Sequence, residues 1–384
     1  MTDRVLFAEP KYATLLRRMH LIDHWDRSAF NRRMLLALAV AWAPLFVINL
    51  LRYAVWHDAA SLTFFTDIAV NAHLLLAVPL MIAAEYLVLR RLERLAGYFR
   101  DSLVESDELA RFDAIVASAR ERSAGAWPSL IVAALSYASV AVFFVSTSRE
   151  RLLPWRVAGP DAFSTAGWWH LLVSLPLLGG LIFAWLWRLG IWTRCLQALS
   201  RLHLRLIAVH PDGAAGLRFV ANSPVLFAPV ALAFGIVVAG AMANDVMHSG
   251  LQPLEHGLLP IVTALLAVVL FASPPLVFSG ALLDAWRRGQ FLYGDLARRM
   301  GGAFERKWFA SAQPVDESTL SAPDFSSTTD LYGIVSNLNS MQLVLIDYRA
   351  VIAIAVAALL PFAPIWLTAV PFDTVLDAIK GVLL

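Results

Sequence analysis

Seven apolar stretches without Asp, Glu, Lys or Arg constrain this chain more than any other feature of its sequence. Each is 17 to 27 residues long, and at a rise of about 1.5 Å per residue that length crosses a hydrocarbon core of about 30 Å. Only 16% of the 384 residues are charged and 59% are hydrophobic, which excludes a soluble fold. The sequence therefore predicts an all-α, polytopic integral membrane protein. The predicted spans are Met34–Leu51, Ile68–Ala84, Ser123–Ser148, Ala162–Trp187, Phe219–Asn244, Gly257–Leu283 and Ala350–Phe372.

The positions of Lys and Arg predict how these spans are threaded. One side of the membrane receives 26 of the 31 basic residues, and the other side receives five. Basic residues accumulate in cytoplasmic segments, so the N-terminus is predicted to lie in the cytoplasm and the C-terminus outside. The segments on the basic side are 1–33, 90–122, 188–218 and 287–349.

The segments between the spans suggest the domain organisation. Apolar residues at helical spacing predict a cytoplasmic helical hairpin over 90–122 and a basic amphipathic helix over 192–206. We interpret the latter as an interfacial elbow between spans, with a lipid sensor as the alternative. The predicted parts are a cytoplasmic N-terminal segment (1–33), spans one to six with the hairpin (34–286), a cytoplasmic segment (287–349) with a flexible polar linker (313–330), and span seven with a C-terminal tail (350–384).

Four polar side chains fall at membrane depth, where burial of such groups is costly. His73 and Asn71 lie in span two, and Glu85 lies near the cytoplasmic end of that span. Span four runs in the same direction, so Arg188 near its cytoplasmic end lies at a similar depth to Glu85, and the two could form an ion pair. This pair is interpreted as a cytoplasmic gate or as a static contact. His73 with Asn71 either lines a proton or anion path or is hydrogen-bonded inside the bundle.

A turn is predicted immediately before span five. His210, Pro211, Asp212 and Gly213 have the chemistry of a tight turn. The alternative is a small ligand loop, in which exposed backbone N–H groups at the start of the helix bind an anion or a cofactor.

Several short motifs are distinctive: Gly167-Trp168-Trp169, Val173-Ser174-Leu175-Pro176, Leu204-Arg205-Leu206, His210-Pro211-Asp212, Ala215-Gly216-Leu217 and Ser321-Ala322-Pro323-Asp324. They resemble a family of uncharacterised bacterial multi-pass membrane proteins with a His-Pro-Asp turn before a late transmembrane helix. The resemblance covers most of the chain from span two onward and is most specific over 167–218. It implies a bacterial inner-membrane location and transfers no catalytic residue. The family's turn continues with Arg-Ala-Gly-Gly-Leu, whereas this chain has Gly213 in place of the Arg.

Proline within the predicted spans favours a channel or transporter for a small solute or ion. Each such proline frees a carbonyl one turn earlier, and broken helices line many permeation paths. Small residues at Gly235, Ala239 and Ala243 form a face for close helix contact, either within the subunit or between subunits. We also expect a homo-oligomer. The prolines include Pro44, Pro79, Pro176, Pro224, Pro260, Pro274 and Pro361.

Two other functions remain open at this stage. The first is a non-transporting sensor or scaffold that binds a cytoplasmic protein through 90–122 and 287–349. The second, less supported, is a metal-dependent membrane enzyme, because His20 and His24 share one helix face. No catalytic motif for ATPases, zincins or serine hydrolases is present. We predict no catalytic, cofactor-binding or metal-binding residue, and a lipid bilayer rather than a nucleic acid as partner.

Overall fold

A computed structural model describes residues 27–147, 152–159, 162–249, 257–309 and 323–369. His20, His24, the C-terminal tail and most of the predicted linker lie outside these residues. Within them the chain is helical apart from loops and two short antiparallel strands, β1 (Val157–Gly159) and β2 (Ala162–Phe163).

The described residues contain six helices that are long and apolar enough to cross a membrane, or up to seven if a bent helix pair counts as one crossing. This confirms the predicted all-α polytopic fold. Some helices extend well beyond their apolar stretches, span two to Leu103 and span four to Leu199, because charged residues continue the helix. The crossings are span one (Phe30–Trp56), span two (Ile68–Leu103), span three (Ala126–Ser146), span four (Thr165–Leu199), span five (Arg218–His248), span six (Leu258–Ala272 with Pro274–Trp308, bent by 40°) and span seven (Tyr348–Leu367).

Prolines in the interior of these spans interrupt the regular α-helical hydrogen bonding, and short π or 3-10 segments occur beside several of them. A proline has no N–H to donate to the carbonyl four residues earlier, and its ring clashes with that carbonyl, so the turn widens or tightens. In chain order the helical segments are Arg27–Ala41, Ala43–Trp56, Ala59–Phe64 (3-10), Ile68–Ala72, His73–Ala77 (π), Val78–Leu103, Leu109–Ala124, Ala126–Ser146, Pro154–Arg156 (3-10), Thr165–Trp169, His170–Ser174 (π), Leu175–Leu199, Arg218–Ala221, Ser223–Phe227 (3-10), Ala228–Ser249, Leu258–Ala272, Pro274–Phe278 (3-10), Ser279–Trp308, Asp324–Asn339, Tyr348–Leu359, Leu360–Phe362 (3-10) and Ala363–Ala369.

The spans pack as one connected bundle. Span two lies against span one on one side and span five on the other, and span four lies against spans one, three and six. Span seven packs on spans five and six. Gly235 of span five approaches span seven so closely that a Cβ atom there would lie 2.3 Å from the carbonyl oxygen of Ala358. The predicted small-residue face therefore makes a contact within the subunit, where a missing side chain lets the two backbones meet.

The amphipathic stretch 192–206 does not form an interfacial elbow. Its helix is the continuation of span four and ends at Leu199, and its apolar stripe is buried in the protein core. Trp192 is 1% exposed and Leu196 is fully buried. The stripe is covered by the hairpin, whose second helix, Leu109–Ala124, packs on span four. The alternation of apolar and basic residues looks the same whether lipid or protein covers the apolar face, so the sequence could not distinguish the two.

The predicted flexible linker also needs a correction at its C-terminal end. Residues from Asp324 onward belong to the helix Asp324–Asn339. Asp324 lies in the first turn, where a carboxylate favours the helix dipole. The ring of Phe325 packs on Phe304 and Trp308 with centroids 4.9 Å apart in both cases. These aromatic contacts with the preceding helix order a stretch whose composition had indicated disorder.

Candidate functional site

The inner cluster consists of Arg33, Glu85 and Arg188 and joins spans one, two and four near the ends that the basic residues predict to be cytoplasmic. Glu85 is 1% exposed. Its Oε1 accepts a hydrogen bond from Arg188 Nη2 and its Oε2 accepts one from Arg33 Nη2, each at 2.7 Å. The two residues that the sequence placed at the same depth therefore meet, and one carboxylate holds two guanidinium groups.

Arg33 was missed as a member of this cluster. The sequence placed it in the cytoplasmic segment 1–33, because the apolar stretch begins at Met34. In the structure the helix begins at Arg27 and runs without a break past Arg33. The sequence did contain a signal, because Arg33 directly precedes the apolar stretch. A long side chain at that position can still reach groups near the end of the span when the helix continues outward.

The outer cluster lies at the opposite end of span two and consists of Asp67, Trp155 and Arg156. Asp67 is fully buried and caps the helix by accepting the N–H of Val70. Its Oδ2 accepts hydrogen bonds from Trp155 Nε1 at 2.9 Å and from Arg156 Nη2 at 2.7 Å. The loop between spans three and four thus enters the bundle, with the Trp155 side chain fully buried.

The two clusters sit on one helix, at a separation set by its length. Asp67 precedes Glu85 by 18 residues, which corresponds to about 27 Å along a helix. That distance is close to the thickness of the hydrocarbon core, about 30 Å. Each cluster ties span two to a different neighbour, so one helix carries a buried charge contact at each membrane face.

His73 and Asn71 are both hydrogen-bonded inside the bundle. His73 Nε2 lies 2.8 Å from the carbonyl oxygen of Val237 in span five. Asn71 accepts the indole N–H of Trp42 and donates to the carbonyls of Phe64 and Asp67, each at 2.9 Å. With these partners Asn71 holds the start of span two in place, and the geometry assigns no path to it.

Spans two and four contain the same local structure at the same register. In each, a histidine begins a five-residue π turn, and a proline follows six residues after that histidine. The pairs are His73 with Pro79 and His170 with Pro176. The short motif His-Leu-Leu followed by Pro-Leu recurs at a spacing of 97 residues. This repeat was missed in the sequence, and it identifies His170, 5% exposed, as a counterpart of His73.

Each π turn lies just before a proline, which cannot donate the usual backbone hydrogen bond. The helix can bend more easily at these turns than in its regular parts. Val78 N–H bonds to the His73 carbonyl and Leu175 N–H bonds to the His170 carbonyl, five residues back instead of four. In span four, the Tyr137 hydroxyl donates to the Leu172 carbonyl at 3.3 Å, which is the group that Pro176 leaves without its usual donor. Single π turns inside helices are frequent at functional sites.

The segment at His210, Asp212 and Gly213 is a turn whose N–H groups are already bound. The Asp212 carboxylate accepts the backbone N–H of Ala214 at 2.8 Å, of Gly216 at 3.1 Å and of Arg218 at 3.1 Å. Burial tends to raise the pKa of Asp212, but these bonds and the contact with His210 outweigh it and lower the pKa. A ligand loop would need the donors that Asp212 occupies. Gly213 has a positive φ of 68°, which glycine adopts without strain.

A cavity of about 630 Å³ opens beside the inner cluster, between spans one to four. Arg33 and Arg188 line it at the end next to the inner cluster, and its wall is otherwise largely apolar. Elsewhere in the described residues, no group of three or more His, Cys, Asp or Glu side chains could hold a metal ion. No family model, curated protein or solved structure matches the chain.

Proposed function

We propose that this protein is a bacterial inner-membrane channel or transporter for a small solute or ion. The observation that carries the proposal is the pair of buried charge clusters at opposite ends of span two. In this interpretation the inner cluster closes the cytoplasmic side and the outer cluster closes the other side.

The chemistry of the clusters supports gating. A buried ion pair gains little net stability over an apolar contact, but it has a defined geometry and breaks as a unit. Arg33 and Arg188 share one carboxylate at 2.7 Å, so a movement of span two would release both contacts together. The loop with Trp155 and Arg156 would be released from Asp67 in the same way at the outer end.

The π turns supply the places where such a movement can occur. They lie between the two clusters, in spans two and four, which both contribute to the inner cluster. If the half-helices on either side of a π turn tilt separately, one cluster can open while the other stays closed. This is the requirement for alternating access, and discontinuous helices serve it in many transporters.

Flux measurements test this proposal directly. Full-length protein in liposomes should pass at least one of protons, potassium or chloride faster than empty vesicles. Glu85→Gln should change that flux, because two buried guanidinium groups lose their carboxylate. The matched control is Asp101→Asn on the same helix, whose side chain is 74% exposed. An absence of flux for all three ions over a range of pH and voltage, in protein that remains folded, would contradict the proposal.

One observation favours the alternative function, a sensor or scaffold that acts through a protein partner. The cytoplasmic extension of span six exposes large apolar side chains, with Phe291 80% exposed and Leu292 70% exposed. Such a patch is typical of a contact with a cytoplasmic protein or with a second copy of the chain. Cross-linking from a probe at position 292 in cells would identify which. A specific adduct, together with unchanged membrane permeability, would favour the scaffold over the transporter.

A further inference from the structure

The cavity beside the inner cluster has the shape of a lipid site. Its wall is formed by all four of the first spans, and its volume of about 630 Å³ lies within the range of about 300–1,000 Å³ that is usual for binding pockets. It extends from Arg188 to Leu172 along span four, a distance of about 24 Å. One acyl chain crosses half of a hydrocarbon core of about 30 Å, so a chain and its headgroup fit this length.

The open side of the cavity faces the bilayer. Tyr137 and Leu172 line its outer part and are 54% and 50% exposed. Both belong to membrane-crossing helices, so their exposed surface meets lipid. An occupant can therefore enter sideways from the membrane without passing through water.

Two hydrogen-bond donors at the cytoplasmic end of the cavity have no partner among the described residues. They are Nη1 of Arg188 and Nε1 of Trp187, and both atoms are buried. A buried donor without an acceptor is unfavourable, so both atoms favour an occupant that brings acceptors. Both residues line the cavity, and a tryptophan at this depth is typical of the level of lipid headgroups.

The charge of the inner cluster favours an anion. Arg188 shares the Glu85 carboxylate with Arg33, and its buried Nη1 still has no acceptor among the described residues. This guanidinium group lines the cavity, where screening of its charge by water is weak. A headgroup that brings one negative charge and several acceptor oxygens would satisfy both the charge and the two donors.

We propose that this cavity binds an anionic phospholipid from the cytoplasmic leaflet, with its phosphate at Arg188 and Trp187 and one acyl chain along the apolar wall. A phospholipid is favoured over a soluble anion because most of the wall is apolar and opens to the membrane. The proposal does not depend on transport, since a lipid bound here could equally serve a scaffold.

Gly180 and Gly190 provide a matched pair of variants. Both lie on span four, and a Cβ atom at either would meet nothing within 4 Å. Gly180 lines the cavity, whereas Gly190 lies outside it on the exposed surface. Gly180→Leu should fill the cavity and Gly190→Leu should leave it open, although the two changes are identical in chemistry.

Native mass spectrometry of the full-length protein in detergent, with added phosphatidylglycerol or phosphatidylcholine, measures the binding. We expect the wild type and Gly190→Leu to retain phosphatidylglycerol in preference to phosphatidylcholine, and Gly180→Leu to lose that binding. Trp187→Phe keeps an aromatic ring and removes the N–H, so it should weaken phosphatidylglycerol binding by about tenfold, the loss of one hydrogen bond to a charged group.

Three outcomes would overturn the proposal. The first is equal retention of the two lipids by the wild type. The second is unchanged retention in a Gly180→Leu protein that melts at the wild-type temperature. The third is binding of a free fatty acid without binding of phosphatidylglycerol. If Gly180→Leu does not fold, the Trp187→Phe result decides, because that substitution leaves the volume of the site almost unchanged. Lipid binding without ion flux would support this site while contradicting transport.

Discussion

Glu85→Gln should damage the protein more than the loss of either arginine that contacts Glu85. The carboxylate is 1% exposed and lies 2.7 Å from both Arg33 Nη2 and Arg188 Nη2. Glu85→Gln leaves two guanidinium groups side by side with a neutral amide between them. Arg33→Gln or Arg188→Gln instead leaves one carboxylate with one guanidinium group, which is a neutral pair.

The expected magnitudes follow from this difference in charge. Removing one partner of a buried ion pair costs about 3–5 kcal/mol, and because two guanidinium groups lose the same carboxylate, Glu85→Gln should lie near the upper limit. Loss of a single hydrogen bond to a charged group costs about 1.5–3 kcal/mol, which applies to Arg33→Gln and Arg188→Gln. At about 2 °C per kcal/mol for a large chain, Glu85→Gln should lower the melting temperature by about 8–10 °C and each arginine variant by about 3–6 °C.

Thermal unfolding in a single detergent measures these shifts, with Asp101→Asn as the control. The double variant Glu85→Gln/Arg33→Gln should melt above Glu85→Gln alone, because one guanidinium group loses the carboxylate instead of two. Exchanging the charges of Glu85 and Arg188 should restore only part of the stability, since Arg33 then faces the new cation at position 85. Two results would refute the shared-carboxylate account. One is an arginine variant that is as unstable as Glu85→Gln. The other is a double variant in which Arg33→Gln lowers the melting temperature by as much as it does alone.

Three further predictions concern packing and the loops. Gly235→Leu should lower the melting temperature by several degrees more than Gly190→Leu, because its Cβ would lie 2.3 Å from the Ala358 carbonyl oxygen. Asp212→Ala should cost roughly 1–3 kcal/mol by leaving backbone donors without an acceptor, and Asp212→Asn should cost less, which thermal unfolding can compare. The hydrogen bond from His203, with Arg111, lowers the pKa of Glu108 below its ordinary value of 4.5. Its stabilising contribution is therefore present above pH 4.5 and is lost as the pH falls through the lower folded-state pKa. A titration of stability in acid should show that loss in the wild type and not in Glu108→Gln.

The sequence was most informative where lipid limits the choices. Because every backbone group in the hydrocarbon must be satisfied internally, long apolar stretches can only be helices. The contact between Glu85 and Arg188 could be predicted for the same reason. Once the direction of each span is known, the depth of a residue follows from its position in the span, and these two residues lie at similar depths. The prolines predicted where regular helix would be interrupted, although not whether a π or a 3-10 turn would result.

The contacts that the sequence did not predict are made by segments outside the spans, which pack against the helix bundle. Trp155 and Arg156 belong to a short loop, and nothing in its composition indicates that the loop enters the bundle to reach Asp67. The buried stripe at Trp192 and Leu196 was misassigned for a related reason, since the hairpin that covers it is distant in sequence. Asp67 itself was overlooked because it precedes the apolar stretch by one residue.

The duplicated π turn leads to a prediction that separates stability from movement. A π turn is equivalent to one extra residue accommodated within an otherwise regular helix. Deleting Leu76, which is 56% exposed within the turn, should therefore restore a regular helix and leave Asp67 and Glu85 where they are. Deleting Ala83 in the regular helix should instead rotate Glu85 by about 100° away from its partners.

We accordingly expect the Leu76 deletion to melt within a few degrees of the wild type, and the Ala83 deletion to melt as low as Glu85→Gln. If the π turn is where span two yields during gating, the Leu76 deletion should also lower the ion flux of the reconstituted protein, because the two half-helices can no longer tilt separately. Full flux from a stable Leu76 deletion would show that the turn only accommodates Pro79. In that case both clusters would have to open through a movement of span two as one rigid rod.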